Sequence, residues 1–293
     1  MISVIVPVYN EENGVVASIE SIARELDGFV DYEIIAVNDG SKDKSLERMS
    51  SINLPNFRII NHTENLGYGK SLYDGIVSAQ YDCIAIIDAD GSYSAKDIKT
   101  LYGYYPEYDM VVGARSGYEY KKGIFKKPAR LLFKFLVEYA TGRKVPDVNS
   151  GLRIFRKDVI IQHKDSLCTG FSFTTTITLI FMLNHYYVKY VPIDYLKREG
   201  KSKVNHFKDT LRAGQIIVEA ILSYNPIKLF LLIASWSAIF GVLVAIINYF
   251  TLKSFFVDIF AAISVAGFIP LFCAGLIADQ LKQIYKSPKE LKS

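Results

Sequence analysis

Between Met1 and Arg115, short apolar runs rich in Val and Ile alternate with helix-length stretches that are apolar on one side only. That alternation is the pattern of β-α-β units and of a mostly parallel sheet. The apolar runs predict strands at Ser3–Val6, Glu33–Val37, Arg58–Ile60, Cys83–Ile87 and Met110–Gly113, with another at Tyr187–Val191. The amphipathic stretches predict helices over Glu12–Leu26, Lys44–Ser51, Tyr68–Ala79 and Ala95–Tyr104. A doubly wound, Rossmann-like α/β domain follows. In such a domain ligands sit beyond the carboxyl ends of the strands.

The pattern changes completely near the C-terminus. Ile227–Phe250 and Phe255–Ala278 are 24-residue runs with no polar face. At a rise of about 1.5 Å per residue, each can cross a hydrocarbon layer of about 30 Å. A pair of buried core helices is the competing reading, but a soluble core helix of that length normally keeps a polar stripe. The link Thr251–Ser254 is too short for a domain, whereas Lys282, Lys286, Lys289 and Lys292 follow the second run. The positive-inside rule then places both ends in the cytosol. Ile2–Val6 is a short apolar run broken at Pro7, unlike a signal peptide. The expected organisation is a cytosolic domain over 1–204, an amphipathic juxtamembrane helix over 205–225, and a transmembrane hairpin with a basic tail over 226–293. The protein is thus expected in the inner or plasma membrane.

Composition adds to this division. Half of the 293 residues are hydrophobic and 22% are charged, which excludes a disordered or collagen-like chain. From Ile227 to Ala278 only Lys228, Lys253 and Asp258 carry charge. The three cysteines, Cys83, Cys168 and Cys273, have neither zinc-site spacing nor the even number of a disulfide framework. Between Arg115 and Lys144 nine basic residues face two acidic ones, interleaved with Phe125, Leu131, Leu132, Phe133, Phe135 and Leu136. This reads as a basic amphipathic helix on an anionic membrane surface. Nucleic acid is the rival partner for a basic patch, and the two apolar runs favour lipid. A second basic cluster, Lys197–Lys203, precedes an amphipathic stretch at Phe207–Ser223 that leads into the first apolar run.

The candidate chemistry lies at the strand ends. The first strand runs into Pro7-Val8-Tyr9-Asn10-Glu11-Glu12, the second into Asn38-Asp39-Gly40-Ser41, the fourth into Asp88-Ala89-Asp90-Gly91. Asp88 and Asp90 alternate on an extended segment, so both can point to one side. Paired carboxylates suit a hard divalent cation, Mg2+ or Mn2+, which in turn bridges to a diphosphate. Gly67-Tyr68-Gly69-Lys70-Ser71 imitates a P-loop, but Glu64 stands where that motif needs glycine, and no G-x-G-x-x-G follows the first strand. Lys70, at a helix start, is either a candidate for a phosphate or a solvated lysine.

Together P-V-Y-N-E-E at Pro7–Glu12, N-D-G-S at Asn38–Ser41, N-L-G-Y-G-K at Asn65–Lys70, D-A-D-G at Asp88–Gly91 and V-V-G-A-R at Val111–Arg115 resemble glycosyltransferase family 2, whose fold is GT-A. D-V-N-S-G-L-R at Asp147–Arg153 and R-E-G-K-S-K at Arg198–Lys203, followed by two membrane helices, resemble its polyprenyl-phosphate glycosyltransferases, among them dolichol-phosphate mannose synthases and bacterial glucosyl relatives. The resemblance implies that Asp39 holds the nucleotide base, with Pro7, Tyr9 and Glu11 lining its pocket. It assigns Asp88 and Asp90 to metal and diphosphate, and Asp147 to the neighbourhood of the donor sugar. Arg115 and Arg130 resemble acceptor-phosphate arginines, and Arg198 and Lys203 a second phosphate-binding cluster.

The implied reaction is one inverting, metal-dependent transfer from a UDP- or GDP-sugar to a polyprenyl phosphate. A second copy of the chain is admitted as a partner; nucleic acid is not. Two departures bear on this. Ser92 stands where relatives often have a glutamine, and Thr174-Thr175-Thr176 follow Gly170-Phe171-Ser172-Phe173 where many have glutamates. A phosphate acceptor is ionised at neutral pH and needs no base there. The Q-x-x-R-W signature of processive synthases is missing, which points to a single transfer. The alternatives are another lipid acceptor, or a membrane scaffold that kept the fold.

Overall fold

The computed structural model describes residues 1–117, 127–164, 167, 173–197, 214–215, 217–219, 221–222, 225–251 and 253–290. The chain divides into two compact units, Met1–Ile216 and Ile217–Ser293.

In the first unit seven strands form one sheet in the order β3-β2-β1-β4-β6-β5-β7. They are β1 (Ile2–Val8), β2 (Tyr32–Asp39), β3 (Phe57–His62), β4 (Cys83–Ile86), β5 (Met110–Ser116), β6 (Arg153–Arg156) and β7 (Val188–Asp194). All neighbours pair in parallel except β6, which runs antiparallel to both β4 and β5. Sequence periodicity does not reveal β6. It is four residues long, and its arginine at each end breaks the apolar run.

Side chains alternate across each strand, so the sheet buries two cores. Ile2, Val4, Val6 and Val8 of β1 face one core, with α1 (Val15–Leu26), α2 (Ser45–Ser50) and α4 (Lys96–Tyr102). Ile5 of β1 and Ile35 and Val37 of β2 face the other, with α3 (Tyr68–Ser78), α6 (Lys157–Gln162) and α7 (Phe173–Leu183). α5 (Lys127–Thr141) lies within the stretch expected to be a basic amphipathic helix, and Leu131 and Phe135 are exposed on it. α6 and α7 were not foreseen. The first is six residues long, and the second is buried on every side, threonines included, so no helical stripe marks it.

The second unit contains α8 (Pro226–Phe250), α9 (Phe255–Ala266) and α10 (Phe268–Glu290). Asn225 caps α8 by accepting from the Lys228 amide, and Pro226 occupies the first turn, where its missing N–H costs nothing. The second apolar run, expected as one helix, is divided at Gly267. Pro270 lies just beyond and has no N–H to offer the carbonyl four residues back. Small residues bring the two arms together: Ala234, Gly241 and Ala261 are buried, and Ser237 Oγ donates to the Ser264 carbonyl at 2.9 Å. A Cβ on Gly241 would lie 2.7 Å from the Ala261 carbonyl oxygen, so only glycine permits this approach. At the turn, Asn248 donates to Asp258 Oδ1 at 2.7 Å and to the Ser254 carbonyl at 2.9 Å, and accepts from the Ser254 amide. Asp258, the one acid of the second run, is therefore a clasp for the turn. Pro226–Phe250 and Phe255–Leu281 are each long and apolar enough to cross a membrane, with mean hydropathies of 2.5 and 2.2. Only 11% of the most apolar 18-residue window of each is buried, unlike a helix inside the core of a folded unit.

Candidate active site

Because β1, β2 and β4 are parallel neighbours, their carboxyl ends open on one edge, with β1 between the other two. The first two loops interlock through the residues that made them look functional. The Asn10 amide donates to Ser41 Oγ (3.0 Å) and the Lys42 amide to Asn10 Oδ1 (2.7 Å). The Glu11 amide donates to Ser45 Oγ (2.8 Å) and the Glu12 amide to Asp43 Oδ2 (3.1 Å). Pro7, Tyr9 and Glu11 sit half-buried on this edge.

Asp39, 3% exposed, is held in a network that the sequence does not announce. Its oxygens accept from the Leu66 amide (2.8 Å), the Gly67 amide (3.0 Å) and His62 Nδ1 (3.0 Å). His62 Nε2 lies 3.1 Å from Asp74 Oδ2, and Lys70 Nζ donates to Asp74 Oδ1 at 2.5 Å. Asp39 thus fixes the loop that opens α3, and the ammonium of Lys70 is committed to Asp74.

β4 ends at Ile86, so Asp90 lies in a turn rather than on an extended segment. Asp90 is buried, and its Oδ1 accepts from the Ser92 amide (3.0 Å) and the Ser92 hydroxyl (2.5 Å). Ser92, itself fully buried, therefore orients Asp90. Asp88 is half-buried; its Oδ1 accepts from the Tyr68 hydroxyl at 3.0 Å. A Cβ on Gly151 would fall against the Asp88 carboxylate, 2.8 Å from Cγ. Gly151 is fixed by its amide bond to the Tyr93 hydroxyl at 2.7 Å.

Among the described residues no cluster of three His, Cys, Asp or Glu side chains forms a metal cage. Two hard carboxylates one residue apart nevertheless fit Mg2+ or Mn2+, ions that take much of their shell from water and phosphate oxygens. Asp88 and Asp90 are the residues that would hold such an ion.

Next to this edge Asp147 and Arg115 form one ion pair. Arg115 Nε donates to Asp147 Oδ2 (2.7 Å) and Nη2 to Oδ1 (2.9 Å), a bidentate fork. The amides of Arg115 and Asn149 add bonds of 3.1 Å each. Burial disfavours the Asp147 carboxylate, but the Arg115 charge and these hydrogen bonds outweigh it and hold the carboxyl below the usual range. The guanidinium also lies 5.5 Å from the centre of the Tyr195 ring.

Arg153, which closes the D-V-N-S-G-L-R motif, is completely buried. It donates to the carbonyls of Ser150 (2.7 and 3.1 Å), Val148 (3.3 Å) and Thr174 (3.1 Å), and to Thr178 Oγ1 (3.0 Å). Burial pulls its pKa down. Its bonds tie loop 147–151, which carries Asp147 and Gly151, to α7. Thr174, Thr175 and Thr176 are buried in the first turn of α7, and Thr175 Oγ1 donates to Asn149 Oδ1 at 2.6 Å. Arg130 falls in α5, but its side chain is outside the described residues, as are Arg198 and Lys203.

The family model for glycosyl transferase family 2 matches residues 3–163, more than half of the chain. The chain belongs to glycosyl transferase family 2. Within the family it is similar to a low-salt glycan biosynthesis hexosyltransferase of Haloferax volcanii, 30% identical over 72% of this chain and 51% of that protein. The chain thus spans about half the length of that relative. It is also similar to an undecaprenyl-phosphate 4-deoxy-4-formamido-L-arabinose transferase of Photorhabdus laumondii, 27% identical over 97% of this chain and 89% of that one. Its fold is similar to that of glucosyl-3-phosphoglycerate synthase from Mycobacterium tuberculosis, at a TM-score of 0.62 and 18% identity over 75% and 80% of the two chains. That enzyme has been solved with UDP and Mn2+, and with UDP and Mg2+. The family 2 domain is a GT-A-like fold, and its edge with Asp39, Asp88 and Asp90 is the candidate active site.

Proposed function

We propose that this family 2 glycosyltransferase moves one sugar from a nucleotide sugar, a UDP- or GDP-hexose, to a polyprenyl phosphate at a membrane. The observation that carries this reading is the joining of two features in one chain: a strand-end carboxylate pair, Asp88 and Asp90, and two apolar helices of spanning length. The likeness to an undecaprenyl-phosphate transferase over nearly the whole chain supports a lipid-phosphate acceptor. Residues 1–204 would form the catalytic domain, 205–225 the juxtamembrane helix and 226–293 the membrane hairpin, with both termini cytosolic.

In this reading a phosphate oxygen of the acceptor forms a bond to the anomeric carbon, and the bond to the nucleoside diphosphate breaks, with inversion. A divalent ion, Mg2+ or Mn2+, would neutralise charge on the leaving diphosphate. Pro7, Tyr9, Glu11 and Asp39 shape the base end of the cleft, and Lys70 is close to it on α3. Asp147 holds Arg115 in one rotamer, so that the guanidinium meets the acceptor phosphate without reorganising. Arg130, Arg198 and Lys203 supply further positive charge toward the lipid headgroup. The threonines at the start of α7 leave no base there, which fits an acceptor that is already ionised.

The test is a transfer assay on detergent-solubilised protein with labelled UDP- and GDP-sugars, polyprenyl phosphate, and Mg2+ or Mn2+. Label is expected to move to the organic phase from one donor and to stay in water when EDTA is added. Nucleotide binding without transfer to polyprenyl phosphate would overturn the acceptor assignment.

A further inference from the structure

The two carboxylates of the candidate metal site are not held in the same way. Asp90 is fixed locally, by the amide and hydroxyl of Ser92 two residues on. Asp88 is fixed from two remote parts of the chain. On one side the Tyr68 hydroxyl, at the first residue of α3, donates to Oδ1 at 3.0 Å. On the other, the backbone of Gly151 packs so closely that a Cβ could not be added without displacing the carboxylate. Asp88 is therefore gripped between a hydrogen bond and a backbone wall.

We propose that Tyr68 is a positioning residue for the metal-diphosphate site: its hydroxyl sets the rotamer in which Asp88 binds a divalent cation. This rests on the reading of Asp88 and Asp90 as metal ligands. Partners that orient a ligating carboxylate typically contribute ten- to a hundred-fold to metal affinity or activity. The phenol is suited to the task. A tyrosine hydroxyl, with an ordinary pKa of about 10, keeps its proton near neutral pH and so remains a donor there. The ring is half-buried against the core under α3, so Phe at this position keeps the packing and loses only the hydroxyl.

A purely structural tether for the start of α3 is the rival explanation, and the two differ in what they move. The experiment compares the full-length protein with Tyr68→Phe in detergent. Mn2+ binding is followed by the paramagnetic resonance signal of the free ion in the presence of UDP, or of GDP if UDP does not bind. Nucleotide binding in EDTA and thermal melting without metal are measured alongside. The expected result is a Mn2+ affinity at least ten-fold weaker in Tyr68→Phe, with metal-free nucleotide affinity within two-fold and melting nearly unchanged. A Mn2+ affinity within two-fold of the unaltered protein overturns the proposal, whatever happens to the melt. If the unaltered protein shows no nucleotide-dependent Mn2+ binding, the metal reading itself falls and takes this inference with it.

Discussion

At the residue scale the decisive fact is that the charged groups of the edge are held by one another and by backbone amides. The Arg115–Asp147 fork is the sharpest case, because one partner is 3% and the other 18% exposed in its side chain. Removing one member strands the other. Arg115→Ala leaves a buried carboxylate unpaired, a change that typically costs about 3–5 kcal/mol. It should therefore lower the melting temperature markedly as well as abolish transfer. Arg115→Ala combined with Asp147→Leu should recover much of the melt and none of the transfer. Melting curves and the transfer assay on the single and double variants check both parts.

The sign of the pH dependence follows. A carboxyl held below its unfolded value of about 3.9 contributes stability that is fully present above that pH and is lost as pH falls through the folded value. The unaltered protein should lose more melting temperature between pH 6 and pH 3 than the double variant does. Asp90→Asn is a different kind of change. It keeps the turn with Ser92 nearly isosteric, so it should preserve the melt while reducing transfer by two orders of magnitude or more. Near-normal turnover in that variant would remove Asp90 from the metal site.

Asp88, Asp90 and Asp39 were legible in the sequence because each follows an apolar run, and a parallel sheet brings such ends to one edge. Tyr68, Gly151 and Arg153 were not. Tyr68 and Gly151 act on Asp88, 20 and 63 residues away, and Arg153 reaches Thr174 and Thr178 across the fold, and none of this leaves a periodic signal. The same limit applies to Asp39. Its acidity and place were plain, but its bonds to the amides of Leu66 and Gly67 come from a loop that only the tertiary fold brings near.

At the element scale, strands and helices with a strong period were found close to their observed ends, and the short or uniformly apolar ones were missed. β6 matters most among the latter, since loop 147–151 enters the site on its way into that antiparallel strand. In the hairpin, apolar length was evident and packing was not. Between apolar helices in lipid there is little hydrophobic drive, so close approach at small residues carries the association. Gly241 is one point of close approach, with the Ala261 carbonyl where a side chain would begin. Gly241→Leu should force the arms apart and cost about 1–3 kcal/mol by overpacking. Its mark would be a lower melting temperature in detergent with unchanged nucleotide binding. Val242→Leu, at a site that is 49% exposed on the same helix, should change neither.

At the scale of the whole molecule, charge and apolar surface are segregated along the chain, and the two attachments they imply respond differently to salt. In the proposed membrane setting, basic residues between Arg115 and Lys144 would attract anionic headgroups by a force that 1 M salt screens within about 3 Å. The helices α8 to α10 expose Trp236, Phe250, Phe255 and Phe256 by 64% to 80%, apolar surface that salt does not release. Membranes carrying the full chain should therefore retain it through both 1 M salt and an alkaline carbonate wash. A chain ending at Ile216, the boundary of the first compact unit, should bind anionic vesicles at low ionic strength and leave them in 1 M salt. Release of the full chain by carbonate would mean that the two apolar helices do not span a bilayer, and the exposed aromatic surface would then need a protein partner. Retention of the shortened chain at 1 M salt would instead place an apolar anchor within the first 216 residues, with Leu131 and Phe135 on the exposed side of α5 as the first place to look.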